Sequence, residues 1–101
     1  MKLWIDDVRP VPNPLEYIPC KSVNAAKVMI KAYEGLGVEI ELIDIDHDAG
    51  DYAHHGGDYI RLLDWLEETG RNYPIRIHSA NAVGAQNMRR IIERNGWKEI
   101  K

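Results

Sequence analysis

The chain of 101 residues contains a single cysteine, Cys20, and no long apolar run. One cysteine cannot form an internal disulfide, and no second thiol is present to build a cysteine metal cluster. The N-terminus lacks the apolar stretch of a secretory signal, and no segment approaches the roughly 18 apolar residues of a membrane-spanning helix. We therefore expect a cytoplasmic protein that is neither secreted nor embedded in a membrane.

The chain also lacks an excess of basic residues, since 13 Lys and Arg stand against 16 Asp and Glu, for a net charge of −3. A surface of this sign argues against broad coating by nucleic acid, which requires basic side chains. A bound phosphate would need a cation or local arginine and imidazolium groups to offset the acids. Six of the acids cluster near two predicted strand ends: Asp6, Asp7, Asp44, Asp46, Asp48 and Asp51.

The order of predicted elements indicates one α/β domain over residues 1–101. Strands are predicted at 2–5, 38–45 and 75–77, and residues 15–20 form at best an edge strand because Pro19 interrupts them. Alternating strands and helices predict a mainly parallel sheet of four to five strands, covered on both faces in three layers. The first crossover helix is missing, because three prolines between positions 10 and 14 forbid a helix there.

Three helices are predicted by apolar residues at positions i, i+3, i+4 and i+7. Ser22, Asp58 and Asn81 are the expected N-terminal caps, and glycines are expected to end each helix. The predicted buried stripes are Ala26, Met29, Ile30 and Tyr33, then Tyr59, Leu62, Leu63 and Leu66, then Met88, Ile91, Ile92 and Asn95.

Polar residues follow three of the predicted strands. The first strand is followed by Asp6-Asp7, the strand ending at Ile45 by residues 46–48, and the strand ending at Ile77 by residues 78–81. The carboxyl ends of parallel strands lie on one edge of the sheet, where open α/β sheets bind their ligands. We expect these three groups to form one site.

Three of the acids, Asp6, Asp7 and Asp46, offer hard oxygen ligands from two neighbouring strand ends. Mg²⁺ prefers this arrangement of one or two carboxylates, with water or substrate phosphate completing an octahedron. The sequence therefore favours a divalent cation, with Mg²⁺ as the first choice. The alternative is that these acids only cap turns or face solvent.

Two histidines, His47 and His78, follow strands that should be neighbours. Imidazole titrates near neutrality, so the pair can act as general base and general acid, with Asp46 or Asp48 orienting His47. Opening a cyclic phosphodiester requires both proton transfers. The alternative is a structural histidine whose hydrogen bonds serve only the fold.

Phosphate oxygens can be bound by Ser79 and Asn81 together with the free amides at the start of the third helix. Arg9 can add a bidentate contact, and Asn87 can reach back into the site or face water. The alternative for Ser79 and Asn81 is that they only cap the helix.

The stretches Leu3–Pro10, Ile45–Gly50 and His78–Asn81, with Gly84 and Asn87-Met88, resemble the cyclic-phosphate processing receiver-like family over nearly the whole chain. The acids also resemble those of two-component receiver domains, which bind a divalent cation and accept a phosphoryl group. The resemblance implies a receiver-like, flavodoxin-like fold and the processing of cyclic phosphates, such as the 2′,3′-cyclic phosphate of a cleaved RNA end.

Two residues depart from the family pattern. Ala49 stands where a larger apolar residue is usual, and Asp44 stands where a small hydroxyl residue is more typical; Asp44 should share a face with Asp46 and either strengthen metal binding or raise a neighbour's pKa. The lysine of ordinary receivers has no clear counterpart in Lys98 or Lys101, which argues against aspartyl phosphorylation.

The leading hypothesis is a small phosphoesterase-like enzyme whose partner is a small phosphate ligand or an RNA end. The second is a receiver-like signalling module, phosphorylated on Asp46 or binding phosphate without catalysis. The third is an adaptor without a site.

Overall fold

The computed structural model describes all 101 residues. Four parallel strands form one sheet in the order β2-β1-β3-β4. The strands are β1 (Lys2–Ile5), β2 (Tyr17–Cys20), β3 (Leu42–Ile45) and β4 (Ile75–Ile77), and the helices are α1 (Val23–Leu36), α2 (Ile60–Glu68) and α3 (Ala82–Asn95). This strand order is that of flavodoxin-like folds, so the predicted receiver-like α/β class is confirmed. None of the helices combines the length and the apolar character needed to cross a bilayer.

All three helices pack on one face of the sheet, which we call the helix-covered face. Leu3, Ile5, Ile43 and Ile45 point to this face and belong to one apolar core with the buried stripes of α1, α2 and α3. Each connection from β2 onward moves across the sheet in the same direction. Right-handed crossovers in one direction place their helices on the same side.

The opposite face, which we call the loop-covered face, carries no helix. Trp4, Tyr17 and Leu42 form a second, smaller apolar cluster there, and Val11 and Ile100 pack against it. Val11 belongs to the proline-rich segment between β1 and β2, where the first crossover helix is absent as predicted. The third layer predicted from the sequence is therefore a loop rather than a helix.

Two of the three predicted helix caps are present. Ser22 accepts a hydrogen bond from the Ala25 amide at 3.0 Å, and Asn81 accepts one from the Gly84 amide at 2.8 Å. The prediction for Asp58 is wrong, because its carboxylate accepts the amide of Ala49 at 3.0 Å instead. This bond holds the loop after β3, so the acid at the start of α2 serves the neighbouring loop.

The prediction of a strand over 38–45 is wrong in its first half, because β3 begins at Leu42. The amide of Val38 bonds to the Tyr33 carbonyl at 2.9 Å, which closes the end of α1. The ladder with β1 begins with Lys2 opposite Leu42, and ahead of it only Met1 is available, whose amino group and carbonyl bond to the backbone of Glu39 and Glu41 at 2.9 Å each. Residues 38–41 therefore lie outside the strand, although apolar and polar residues alternate there.

Candidate functional site

The residues that follow β1, β3 and β4 meet at one edge of the sheet. Ile5, Ile45 and Ile77 stand side by side in register. The chain leaves all three strands at the same level, and the amide of His78 still bonds to the Ile45 carbonyl at 2.9 Å. We call residues 6–7, 46–48 and 78–81 the polar rim.

Three carboxylates of the polar rim form an acid cluster. Asp6, Asp7 and Asp46 each offer an oxygen, and these oxygens all lie within 4.8 Å of one another. Asp6 and Asp46 are buried, and Asp7 is half-buried. The Asp7 carboxylate lies directly over Gly50, where a Cβ would collide with Asp7 Oδ2. The loop after β3 thus leaves room for this acid by means of a glycine.

The two adjacent acids have pKa values displaced in opposite directions. Burial raises the pKa of Asp7, and the charges of Asp6 and Asp46 raise it further. Burial also acts to raise the pKa of Asp6, but hydrogen bonds from the Arg9 and Val8 amides and from His78 outweigh it and lower that pKa overall. Asp7 is therefore the acid of the cluster whose ionised form is disfavoured.

The donor set of the acid cluster fits a divalent cation. Carboxylate oxygens are hard ligands, and a site with few protein ligands suits a cation that keeps water in its coordination shell. A cation placed there would also offset the repulsion that raises the pKa of Asp7. Asp6, Asp7 and Asp46 are the residues that would hold it.

His78 lies between two carboxylates. Its Nε2 is 2.9 Å from Asp6 Oδ2, and its Nδ1 is 2.7 Å from Asp44 Oδ1. Its ring also stacks on Trp4, with centroids 3.9 Å apart. Both ring nitrogens are therefore occupied by hydrogen bonds to carboxylates. Neither nitrogen is left to exchange a proton with a substrate.

Asp44 is fully buried on the loop-covered face and lies outside the acid cluster. The hydroxyl of Tyr17 donates to its Oδ2 at 3.2 Å, and Arg76 lies 3.6 Å from the same oxygen. Burial, and next the Asp44 charge, raise the pKa of Tyr17, which keeps this hydroxyl protonated. The sequence predicts that Asp44 shares a face with Asp46, but it does not predict the pairing of Asp44 with His78.

His47 has a different environment, in which one ring nitrogen stays accessible. Its Nδ1 lies 2.8 Å from Asp48 Oδ1 and 3.5 Å from the Asn81 amide nitrogen. The ring lies flat on Gly84, where a Cβ would come within 2.5 Å of its Cγ. Every buried side-chain nitrogen and oxygen has a partner, whereas Nε2 of His47 has none. This nitrogen therefore contacts solvent at the polar rim.

Three of the four predicted phosphate-binding residues contact the polar rim or belong to it, and the fourth does not. Arg9 Nη1 donates to the His78 carbonyl at 2.6 Å. The Ser79 hydroxyl accepts the Asn81 amide at 3.0 Å, and the Asn81 side chain caps α3 while lying 3.4 Å from both Asp48 oxygens. Asn87 bonds to Arg90 at 2.9 Å and has no hydrogen bond to the polar rim. The structure thus brings Arg9, Ser79 and Asn81 to the rim but not Asn87.

Together, a parallel α/β sheet and an acid cluster at its carboxyl edge define a receiver-like domain. The chain belongs to the family described as the cyclic-phosphate processing receiver domain, whose model matches residues 1–94. This match confirms the resemblance seen in the sequence. Neither a curated protein nor a protein of solved structure matches the chain.

Proposed function

We propose that this protein is a phosphoesterase-like enzyme that opens cyclic phosphates, such as the 2′,3′-cyclic phosphate of nucleotides or RNA ends. The observation that carries the proposal is the His47–Asp48 pair beside the acid cluster, with Nε2 of His47 open to solvent. The buried free thiol of Cys20 fits the reducing cytoplasm in which we expect the enzyme to act.

His47 is the proposed general base. Asp48 accepts a hydrogen bond from Nδ1–H, which leaves the lone pair on Nε2 of the neutral ring. Nε2 takes a proton from water as the water oxygen bonds to phosphorus and the bond from phosphorus to one sugar oxygen breaks. The departing oxygen takes its proton from solvent at the exposed rim, and the product is a phosphate monoester.

The acid cluster is the proposed Mg²⁺ site. A cation bound there supplies positive charge to the phosphate oxygens. Asp6, Asp7 and Asp46 would hold it, and water and substrate would supply its other ligands. Their three negative charges would otherwise repel a phosphate ligand.

Arg9, Ser79 and Asn81 are the proposed phosphate contacts. Arg9 is exposed and uses one nitrogen for the His78 carbonyl, which leaves further guanidinium donors. The Ser79 hydroxyl accepts one hydrogen bond and keeps its own hydrogen to donate. Proton transfer by His78 is not part of the proposal, because both of its nitrogens face carboxylates.

The test is hydrolysis of 2′,3′-cyclic nucleotides with added Mg²⁺ or Mn²⁺, followed by phosphorus NMR, which separates the cyclic diester from the monoester. We expect hydrolysis by the natural sequence and a loss of about 10²–10⁴-fold in His47→Ala. His54→Ala is the matched control, because His54 lies outside the polar rim. An inactive natural protein, or equal activity of His47→Ala, would overturn the proposal.

One observation favours a second candidate, a signalling module phosphorylated on Asp46. Asp46 Oδ1 accepts the His47 amide at 2.7 Å, and its Oδ2 has no hydrogen bond within the chain. Incubation with a small phosphoryl donor and Mg²⁺, followed by intact mass, separates the two functions. A stable adduct that Asp46→Asn abolishes, without hydrolysis of cyclic nucleotides, would favour signalling over catalysis.

A further inference from the structure

We infer that Asp44 is a positioning residue for the acid cluster. Acting through His78, it fixes the Asp6 carboxylate and thereby sets the affinity of the polar rim for a divalent cation, although Asp44 is not itself a ligand. The inference rests on the cation-binding part of the proposed function.

A continuous line of hydrogen bonds joins Asp44 to Asp6. Asp44 Oδ1 lies 2.7 Å from His78 Nδ1, and His78 Nε2 lies 2.9 Å from Asp6 Oδ2. Both carboxylates are 0% exposed, and the imidazole is 11% exposed. With solvent nearly absent, no water competes for these bonds, so the position of one group constrains the next.

The Asp6 carboxylate has little freedom left once these bonds are formed. Its Oδ1 accepts the amides of Val8 and Arg9, each at 3.0 Å, and its Oδ2 accepts His78. A carboxylate has about four acceptor sites, so about one remains for a cation or a bound water. Without the His78 bond, Oδ2 would be free to turn away from the cluster.

Asp44 determines how the His78 ring is oriented. Stacking on Trp4 fixes the plane of the ring, but a 180° flip about the Cβ–Cγ bond would keep that plane and exchange the two ring edges. The bond from Asp44 to Nδ1 selects one of these two orientations, the one in which Nε2 points at Asp6. Groups in direct contact with a metal ligand commonly orient it. His78 is such a group, and Asp44 orients His78 in turn.

Stability alone does not explain a carboxylate at position 44. This position faces Trp4 and Leu42 in the apolar cluster of the loop-covered face, where Trp4 stands opposite Asp44 in register. An apolar side chain would avoid the cost of burying a charge, and such replacements of buried ion pairs are often neutral or stabilising. Tyr17 and Arg76 accompany the carboxylate instead, which fits a charge retained for orientation.

The experiment is a titration of the full chain with Mn²⁺ in the absence of substrate, followed by calorimetry or electron paramagnetic resonance. We expect Asp44→Asn to raise the Kd for Mn²⁺ by about 10–100-fold. Asp64→Asn is the matched control, because it makes the same change in charge at an acid of α2 that pairs with Arg61. Its Kd should equal that of the natural sequence.

A double-variant cycle tests whether Asp44 acts through His78. His78→Leu alone should raise the Kd, and adding Asp44→Asn to it should produce little further change. Additive effects of the two substitutions would overturn the inference. A purely structural role would lower the melting temperature of the Asp44→Asn variant and leave its Kd unchanged, which would also overturn it.

A milder variant keeps the test decisive if Asp44→Asn does not fold. Tyr17→Phe removes the hydroxyl that holds Asp44 Oδ2 and keeps every charge, and we expect a smaller rise in Kd. An unchanged Kd in a folded Tyr17→Phe variant would contradict the inference. Absence of Mn²⁺ binding by the natural sequence would instead refute the cation site of the proposed function, so the two failures are distinct.

Discussion

The imidazole of His78 lies parallel to the indole of Trp4, with ring centroids 3.9 Å apart and 1° between the ring planes. The same indole donates from Nε1 to the Arg9 carbonyl at 3.0 Å, and Arg9 donates to the His78 carbonyl at 2.6 Å. These three residues form a closed set of contacts. The proline-rich loop is thereby tied to the polar rim.

Trp4→Phe should weaken this connection. The substitution keeps an aromatic ring beside His78 but removes the donor to the Arg9 carbonyl. We expect the free energy of unfolding in urea to fall by at least about 1 kcal/mol, the usual net value of one such bond. Trp65→Phe is the control, because the Trp65 side chain donates no hydrogen bond within the chain and is only half-buried. Equal losses in the two variants would contradict the prediction.

Gly84→Ala should disturb His47. The new Cβ would lie 2.5 Å from His47 Cγ, so the ring must move or the start of α3 must shift. We expect a loss of about 1–3 kcal/mol in stability from overpacking, together with a lower kcat for cyclic-phosphate hydrolysis.

Gly35→Ala is the matched control for Gly84→Ala. Gly35 is also helical, and nothing lies within 4 Å of its hypothetical Cβ. This variant should keep full activity and gain up to about 1 kcal/mol, since alanine favours a helix more than glycine does. Retained activity in Gly84→Ala would show that the position of His47 is unimportant.

Asp7→Asn should stabilise the protein at neutral pH when no divalent cation is present. The pKa of Asp7 is raised above its usual 3.8, first by burial and then by the charges of Asp6 and Asp46. The folded state therefore binds this proton more tightly than the unfolded state, and stability falls as pH rises from about 4 through the folded pKa. Asparagine carries no charge and escapes this loss.

Thermal melts in a chelator, at neutral pH and at a pH below 3.8, check this prediction. The variant should melt higher than the natural sequence at neutral pH, and the difference should vanish in acid, where Asp7 is neutral in both states. The same variant should bind Mn²⁺ more weakly. Lower stability of Asp7→Asn at neutral pH would show that ionised Asp7 does not destabilise the folded state.

Divalent cations should stabilise the folded chain. At about 100 times the Kd, a ligand that binds only the folded state adds about 2.7 kcal/mol. We expect Mn²⁺ to raise the melting temperature, a chelator to reverse the rise, and Asp46→Asn to abolish it. Asp51→Asn is the control, because Asp51 is an exposed acid of the same loop outside the acid cluster. A similar rise in Asp46→Asn would place the cation elsewhere.

The sequence predicted the meeting of three strand ends because alternating strands and helices require parallel neighbours, whose carboxyl ends share an edge. Asp6, Asp46 and His78 come together for this reason. The position of the acids directly after apolar runs marks them as strand-end residues, and this signal does not depend on which residues pair between the strands.

The pairing of Asp44 with His78 could not be predicted in the same way. It depends on the register of β1, β3 and β4, and a shift by one residue would turn Asp44 to the other face. One signal was present in the sequence: Trp4, Asp44 and Arg76 each precede a residue of the polar rim by two positions. Strand alternation therefore places them below the rim on the same face.

At each of the two edges of the sheet, a different feature opposes pairing with a strand of another molecule. The middle of β2, at one margin, carries Pro19, and the Cys20 carbonyl points inward to the Asp6 amide, so Pro19 faces outward with no N–H to offer. At the other margin, Ile75 of β4 already bonds to the backbone of Lys98 and Ile100. Assembly by edge-to-edge β-addition, the usual first step of sheet-driven aggregation, is disfavoured on both sides.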